Sequence, residues 1–361
     1  MSKFLSCLLC FLICSAGVSA QSLPRIKVGA ILPLSGALSE YGTAARNGLE
    51  MAITEHPELF RGIEFIYEDS QYDGKMALAS YQKLRAAGDV SLVYLWGYGP
   101  SQAVAPVAES YQLPVIAVSG ALPTFATSRH ILRFAFCMSG PAAILSEHLR
   151  SKGIKRFGVI KTDIAFTTEM YNEMLKNLRQ GETIELIASV NPSDMEFRSI
   201  IGKIRQKNFD AVGVFLVSGQ IAQFYRQMKQ QGLQLRTFGT DLFDSVQENN
   251  LSGGAMTGAE FVAPYVAPQF LERYRRLKGN DLQVSSAAGS YEAASLIGKA
   301  LNSSSGSPSA EEIVAALKQY GSSSTGAADY KWVDAGECTG FDVRNVMKRM
   351  EKDGPMVISN S

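Results

Sequence analysis

The chain has 361 residues, of which 46% are hydrophobic and 19% are charged. This composition is ordinary for an α/β protein, and the length is sufficient for two lobes. Lys and Arg together number 35, against 34 for Asp and Glu. Because no strong electrostatic field favours nucleic acid or an anionic membrane surface, we expect no polyanionic partner and no nucleic acid.

The first twenty residues have the pattern of an export signal. Lys3 supplies a positive start, residues 4–14 form an apolar core, and small residues at 18–20 precede Gln21. The apolar run is too short to cross a bilayer comfortably. A lipoprotein site would require a small residue directly before the cysteine, whereas Leu9 precedes Cys10 and Ile13 precedes Cys14. The pattern predicts an exported protein that is cleaved near Ala20–Gln21.

Two cysteines, Cys137 and Cys338, remain after removal of the signal. An exported protein can oxidise such a pair, but a chain of this size does not need a disulfide to be stable. We expect both to be buried free thiols, with a disulfide as the alternative.

Strands and helices alternate in two successive series. In the first, the predicted strands are 26–32, 63–67, 92–96 and 114–118, and the helices start near 39 and span 76–87 and 103–111. In the second, the strands are 157–160, 184–190, 211–216 and 237–241, and the helices are 142–151, 168–178, 195–207 and 220–231. Such alternation is typical of a parallel sheet covered on both faces, so two series predict two similar lobes.

The pattern changes in the last hundred residues. Residues 262–268 are predicted to be extended, and helices follow at 270–277, 287–301 and 311–320. The end of the chain, 330–358, is predicted to form a short antiparallel ribbon.

Two loops leave the carboxyl ends of successive strands in the first series, at 97–101 and 119–124. In open α/β sheets this edge is where ligands bind. Ser101 is predicted to cap the following helix, and the amides of Gly99, Ser101 and Gln102 to face an anion. An ordinary βαβ unit without any site is the alternative interpretation.

Signatures of catalysis are missing. The three histidines, His56, His130 and His148, lack metal-ligand spacing. The chain has no G-x-S-x-G turn, no phosphate loop ending in Gly-Lys-Ser/Thr and no complete G-x-G-x-x-G after the first strand. We therefore expect a protein without catalytic activity, metal or cofactor.

Several short segments, spread over nearly the whole mature chain, follow one another in a distinctive order and spacing. They are 26–36, Tyr41–Gly42, Gly48, 50–52, 68–73, 96–101, 114–120 and 334–342. Together they resemble the leucine/isoleucine/valine-binding proteins, which are periplasmic solute-binding proteins of ABC importers. No single segment is specific, but their collinear order is.

The resemblance implies an α/β fold of two Rossmann-like lobes, each a parallel sheet flanked by helices. A hinge of three crossing strands joins the lobes, and the ligand cleft lies between them. The implied crossings lie near 133–137, near 262–266 and around Gly326. The implied boundaries are 1–20 for the signal, 21–136 plus 265–325 for lobe 1, and 137–264 plus 326–361 for lobe 2.

The resemblance also implies a binding site. The loop matching 97–101 would hold a ligand carboxylate, the loop matching 119–122 would receive an amino group, and Asp241 would pair with its charge. The implied ligand-binding residues are Tyr98, Gly99, Ser101, Ser119, Gly120, Ala121, Leu122, Phe166, Val217 and Asp241.

Two of these residues depart from the family pattern. Leu122 stands where amino-acid binders usually have Thr, and Phe166 where they often have Tyr. Losing a hydroxyl beside a charged ammonium costs about 1–3 kcal/mol. The departures therefore favour an aromatic or other apolar carboxylate as an alternative to a branched-chain or other amino acid.

The resulting hypothesis is an exported, non-catalytic solute-binding protein of the periplasm. It is a monomer that closes on a small amphipathic molecule and delivers it to an inner-membrane ABC permease. One alternative keeps the fold but makes the protein a ligand sensor for a membrane receptor. Another is a secreted hydrolase that uses Asp241 as general base in the same cleft.

Overall fold

The structure is a computed structural model that describes residues 26–303, 308–321 and 325–359. The predicted export signal at 1–20 lies outside the described residues. Within the described ranges, no helix combines the length and the apolar character that a membrane span requires.

Strands and helices alternate through most of the chain. The strands are β1 (Ile26–Leu32), β2 (Ile63–Asp69), β3 (Val90–Trp96), β4 (Val115–Val118), β5 (Ile131–Phe134), β6 (Arg156–Thr162), β7 (Thr183–Val190), β8 (Ala211–Phe215), β9 (Thr237–Gly239), β10 (Glu260–Pro264), β11 (Tyr330–Val333), β12 (Gly340–Val343), β13 (Asn345–Glu351) and β14 (Gly354–Ser359). The helices are α1 (Ser39–Glu55), α2 (Gly74–Ala87), α3 (Tyr98–Tyr111), α4 (Ser139–Ser151), α5 (Ala165–Lys176), α6 (Arg198–Gln206), α7 (Gln220–Gln230), α8 (Val246–Leu251), α9 (Pro268–Lys278), α10 (Val284–Asn302) and α11 (Ala310–Gln319).

The strands form two seven-stranded sheets. The first has the order β11-β12-β5-β4-β3-β1-β2, and the second β14-β13-β10-β9-β8-β6-β7. In the part of the chain that the structure describes, the pairs among β1 to β5 and among β6 to β10 are all parallel, and antiparallel pairs occur only at the β11 and β13–β14 edges of the two sheets. Central strands such as β8 are buried along their whole length, as expected when helices cover both faces. This confirms the predicted fold of two Rossmann-like lobes.

Helix α1 links the two lobes at the cleft. Along most of its length it packs on α10 so closely that a Cβ at Gly48 would stand 2.0 Å from the carbonyl oxygen of Ala287. Its first turn instead enters the core of the second lobe, where Tyr41 clusters with Val217 and Phe243. The start of α1 is therefore one wall of the space between the lobes.

The chain passes between the sheets three times: from β5 to α4, from β10 to α9, and from β12 to β13 at Arg344. The predicted third crossing near Gly326 is wrong, and so is the assignment of residues 330–343 to lobe 2. The predicted terminal ribbon is two hairpins, one in each sheet. Trp332 and Phe341 pack with Phe134 in the first core, which fixes the first hairpin there.

Cys137 and Cys338 form a disulfide, with their Cα atoms 5.5 Å apart. The expectation of two free thiols is therefore wrong, because the turn between β11 and β12 approaches the first crossing within bridging distance. The buried Arg133 donates to the carbonyl oxygen of Cys338 from Nε at 3.2 Å, and Asp342 accepts from the amide of Cys137 at 3.0 Å. The crossing is thus attached to the first lobe by covalent and polar contacts.

Replacing both cysteines by serine should lower the free energy of unfolding by about 2–5 kcal/mol, because the disulfide closes a long loop in the unfolded chain. Urea unfolding of the oxidised protein measures this. The control is dithiothreitol, which should destabilise the wild type and leave the double variant unchanged. Equal stability of the two oxidised proteins would contradict the prediction.

Candidate ligand-binding site

A cavity lies between the lobes, where the carboxyl ends of β3, β4, β6, β8 and β9 face one another. About 1010 Å³ of empty space, part of it open to solvent, is enclosed there, which suits a small molecule. Its lining residues are Leu38, Tyr41, Tyr72, Trp96, Gly97, Tyr98, Val118, Ser119, Gly120, Phe134, Ala135, Phe136, Ile164, Phe166, Val217, Asp241, Leu242, Pro264, Gln283, Ser285, Ser286, Gly289, Ser290, Ala328 and Val343.

The two walls of the cavity differ in chemistry. The second lobe contributes one carboxyl group, Asp241, on an otherwise apolar surface formed by Phe136, Ile164, Phe166, Val217, Leu242 and Pro264. The first lobe contributes most of the hydroxyl groups, from three tyrosines and several serines. No Lys, Arg or His is among the lining residues of the described chain. The cavity therefore complements a molecule with an apolar body and few polar groups.

Asp241 follows β9 and begins a short 3-10 turn, Asp241–Phe243. Burial, helped by the neighbouring charge of Asp244, raises the pKa of Asp241 to about 7. Lys348 does not neutralise it fully, because the Nζ of Lys348 lies 2.7 Å from a carboxylate oxygen of Asp244 in a buried ion pair. At neutral pH the Asp241 carboxyl group is thus close to half protonated and can donate or accept a hydrogen bond.

The loop at 97–101 differs from its prediction. Helix α3 begins at Tyr98, directly after Gly97, whose φ of 114° turns the chain at the strand end. Ser101 lies inside the helix and its amide donates to the carbonyl of Gly97 at 3.0 Å, so its predicted N-cap role and free amide are wrong. Tyr98 lines the cavity, whereas Gly99 and Ser101 are not among the lining residues.

The loop at 119–122 is divided between cavity and core. Ser119 and Gly120 line the cavity, and the buried Ser119 hydroxyl has no hydrogen-bond partner in the described protein. The amide of Ala121 instead interacts with Glu169 of the second lobe. Leu122 is 3% exposed and packs in the core between the first sheet and α3. The inference that Leu122 removes a hydroxyl from the cavity wall is therefore wrong, whereas Phe166 and Val217 do lie in that wall.

Several lining residues are not predicted from the sequence. Tyr72 comes from the turn after β2, where it is the one aromatic residue among Ser, Gln, Asp and Gly. An aromatic residue in such a polar turn was the feature of the sequence that could have indicated a contact with a ligand. Ser285, Ser286, Gly289 and Ser290 come from the start of α10. Their spacing places them on one face of the helix. A helix face of small and polar residues indicates that a ligand or another element of the protein packs against it.

Contacts between the lobes surround the cavity. The hydroxyl oxygen of Ser218 in the second lobe lies 2.6 Å from a carboxylate oxygen of Glu40 in the first lobe and 2.9 Å from one of Glu248 in its own lobe, and its single proton can be donated to only one of them at a time. The amide of Ser218 donates to the hydroxyl of Tyr41 at 3.2 Å. On another side, burial raises the pKa of Glu169 to about 7 where it meets the loop of Ala121. The lobes are therefore in contact around the space that a ligand would fill.

In the ranges that the structure describes, no group of three or more His, Cys, Asp or Glu side chains is placed to hold a metal ion.

The two lobes, the three crossings and the cavity between the lobes define a two-lobed ligand-binding protein. The sequence model of the family described as periplasmic binding protein matches residues 25–340. The chain therefore belongs to the periplasmic binding protein family. Leu/Ile/Val-binding protein homolog 6 of Brucella melitensis is 24% identical over 327 residues, which cover 84% of this chain and 83% of the relative.

Solved structures share the fold. A leucine binding protein from Thermotoga maritima superposes with a TM-score of 0.80 at 19% identity, covering 92% of this chain and 98% of its own. A solute binding protein of an ABC transporter from R. palustris, in complex with benzoate, has a TM-score of 0.80 at 18% identity and covers 93% and 96%. At these identities the similarity establishes the fold alone.

The raised pKa of Asp241 has a measurable consequence for stability. Between about pH 4 and about pH 7 the folded protein holds a proton that the unfolded chain has released, so the free energy of unfolding should fall as the pH rises through this window. In Asp241→Asn this decrease in the free energy of unfolding should be smaller by about 1–3 kcal/mol than in the wild type. Urea unfolding of ligand-free protein at about pH 5 and about pH 8 measures the difference.

Asp163→Asn is the matched control. Asp163 is exposed, and its hydrogen bond and ion pair with Lys161 lower its pKa, so it stays largely ionised between about pH 5 and about pH 8 in both the folded and the unfolded state. Its replacement should leave the pH dependence unchanged. An Asp241→Asn variant with the wild-type pH dependence would contradict the prediction.

Proposed function

We propose that the protein is the exported solute-binding component of an ABC importer and captures a small aromatic or branched apolar carboxylic acid between its lobes. The observation that carries the proposal is the cavity wall, which is aromatic and aliphatic except for one carboxyl group and a set of hydroxyls. Membership of the periplasmic binding protein family supports the general role.

The wall favours an apolar acid over an amino acid. An amino acid brings an ammonium group that needs several acceptors, and Phe166 and Val217 offer none from their side chains. Leaving part of that group unpaired costs about 1–3 kcal/mol. An aromatic acid instead packs its ring against these side chains and places its carboxylate toward the hydroxyl-bearing first lobe, where the buried Ser119 hydroxyl has no other partner in the described protein.

Asp241 fits this proposal without an ammonium partner. With a pKa of about 7 it is partly protonated at neutral pH, so it tolerates an apolar neighbour and can also hydrogen-bond to a hydroxyl substituent of the ligand. One solved protein with this fold was crystallised with benzoate, and another is a leucine binding protein, so the fold accommodates both ligand classes.

The proposed cellular role follows from the family and the predicted signal. The protein acts in the periplasm as a monomer, closes on its ligand by rotation about the three crossings, and presents the closed form to an inner-membrane permease.

A ligand panel tests the proposal. Refolded, ligand-stripped mature protein is screened by thermal shift with benzoate, 4-hydroxybenzoate, cyclohexanecarboxylate, isoleucine and benzylamine. A ligand at about 100 times its Kd adds about 2.7 kcal/mol, so the acids should raise Tm by several degrees. Isoleucine should act much more weakly, and benzylamine, which lacks a carboxylate, should have no comparable effect.

Two outcomes count against the proposal. If isoleucine gives the largest shift, the ligand class is wrong although the binding role stands. If no member of the panel shifts Tm, the proposed ligand chemistry fails as a whole. Uptake of the positive ligand by cells lacking the gene then tests transport: unchanged uptake would favour the sensor role instead.

A further inference from the structure

The turn that joins β2 to α2 holds an unusual backbone conformation beside the cavity. Gln71 and Tyr72 have φ values of 51° and 62°, both in the left-handed region and neither of them glycine. Such a conformation is strained for residues that carry a Cβ. Two in succession persist only where the surroundings determine them, and they commonly occur at functional sites.

Polar contacts on both sides fix this turn. Before it, the carboxylate of Asp69 accepts from the amide of Leu34 at 2.8 Å, from the hydroxyl of Ser35 at 2.6 Å and from the amide of Gln71 at 2.9 Å. Burial opposes ionisation of Asp69, but these hydrogen bonds outweigh it and lower its pKa. After the turn, Asp73 caps α2. The strained conformation is thus held in place, and it directs Tyr72 into the cleft.

The ring of Tyr72 covers the start of α3. A Cβ at Gly97 would stand only 2.6 Å from Cε2 of Tyr72, so the ring lies directly on the backbone there. The ring of Trp96 supports it at a centroid distance of 6.0 Å. Burial raises the pKa of Tyr72 to about 12, and the nearby backbone amides of Tyr98 and Gly99 oppose this rise. The phenol is therefore protonated at neutral pH.

This arrangement changes what the helix start can offer a ligand. Of the amides that the sequence pattern assigned to a ligand anion, that of Gly99 lies near the phenol of Tyr72, and that of Ser101 donates to the carbonyl of Gly97. The phenol keeps its own proton, which remains available to the cavity that Tyr72 lines. A ligand at this end of the helix therefore meets the Tyr72 hydroxyl as a side-chain donor.

A second donor stands on the neighbouring strand end. Trp96 pairs with Val118, and the amide of Gly97 donates to the carbonyl of Val118 at 2.9 Å, so the loops after β3 and β4 lie side by side. Ser119 follows directly and is a lining residue of the cavity that is 4% exposed, and its buried hydroxyl has no partner in the described protein. Both hydroxyls can therefore serve the same acceptor group.

We propose that Tyr72 determines specificity: its hydroxyl donates to the ligand carboxylate, and its ring keeps that carboxylate away from the backbone amides of α3. The inference rests on the proposed capture of an apolar acid and narrows the ligand class. Acids with the carboxylate attached directly to the ring fit in front of Tyr72. Acids with a longer spacer need the space that Tyr72 occupies.

Two substitutions at this position test the inference. Tyr72→Phe keeps the ring packing and removes the donor, so the Kd for benzoate should rise about 10-fold or more, as for loss of a hydrogen bond to a charged group. Tyr72→Gly suits the left-handed backbone and uncovers the amides. It should weaken benzoate binding and strengthen 3-phenylpropionate binding, so that the ratio of the two Kd values reverses. Isothermal titration calorimetry measures both.

Tyr81→Phe is the matched control, because its hydroxyl donates to the carbonyl of Leu113 at 2.8 Å in the core of the same lobe. It should leave the benzoate Kd unchanged. Benzoate binding by Tyr72→Phe that equals or exceeds the wild type would overturn the inference, since the carboxylate would then use the amides directly. The proposed ligand class would survive that result. If the wild type itself binds no acid of the panel, the ligand class fails and the inference fails with it.

Discussion

The carboxyl ends of two parallel sheets meet at one cleft, and the rest of the structure depends on this constraint. Each sheet is built from strand–helix–strand units, so every strand end delivers a loop or a helix start to the same edge. With two lobes facing each other, loops distant in sequence come together: Ser119 and Asp241 line one cavity although they belong to different sheets. The hinge is fixed on the first lobe by the disulfide and by Arg133, which leaves the facing lobes as the elements that can move.

Contact between the lobes brings carboxyl groups together and buries them, and this opposes closure at alkaline pH. Glu169 and Asp241 both have pKa values raised to about 7 by burial, and burial with the nearby charge of Glu40 raises the pKa of Glu248. The contacts between the lobes alone are therefore a poor source of closing free energy. In the proposed function, a ligand that buries apolar surface against both walls supplies this free energy, at about 25 cal/mol per Å².

The apolar runs of the sequence predicted the sheets because strands covered on both faces are almost continuously hydrophobic, as β8 is. Local sequence patterns predicted less well which individual residues line the cavity. Ser101 and Leu122 follow strand ends as ligand-binding residues would. The helix that contains Ser101 begins five residues earlier than predicted, and the side chain of Leu122 packs in the core. The hairpin at 330–343 could belong to either sheet, and its partner is set by packing on Phe134.

In the proposed function, the specificity of this cleft depends on polar groups that are absent from its wall as well as on those that are present. Phe166 and Val217 present no hydroxyl to a charged amino group, and Asp241 is only partly ionised beside them. At the opposite wall the start of α3, which has the geometry to bind an anion through its amides, is covered by a tyrosine held in a strained turn. A glycine at position 72 would adopt the same backbone conformation without strain. The presence of a tyrosine there therefore has to be explained by its side chain. A left-handed tyrosine with its ring on Gly97 therefore indicates that the side chain, and not the turn, is the functional feature.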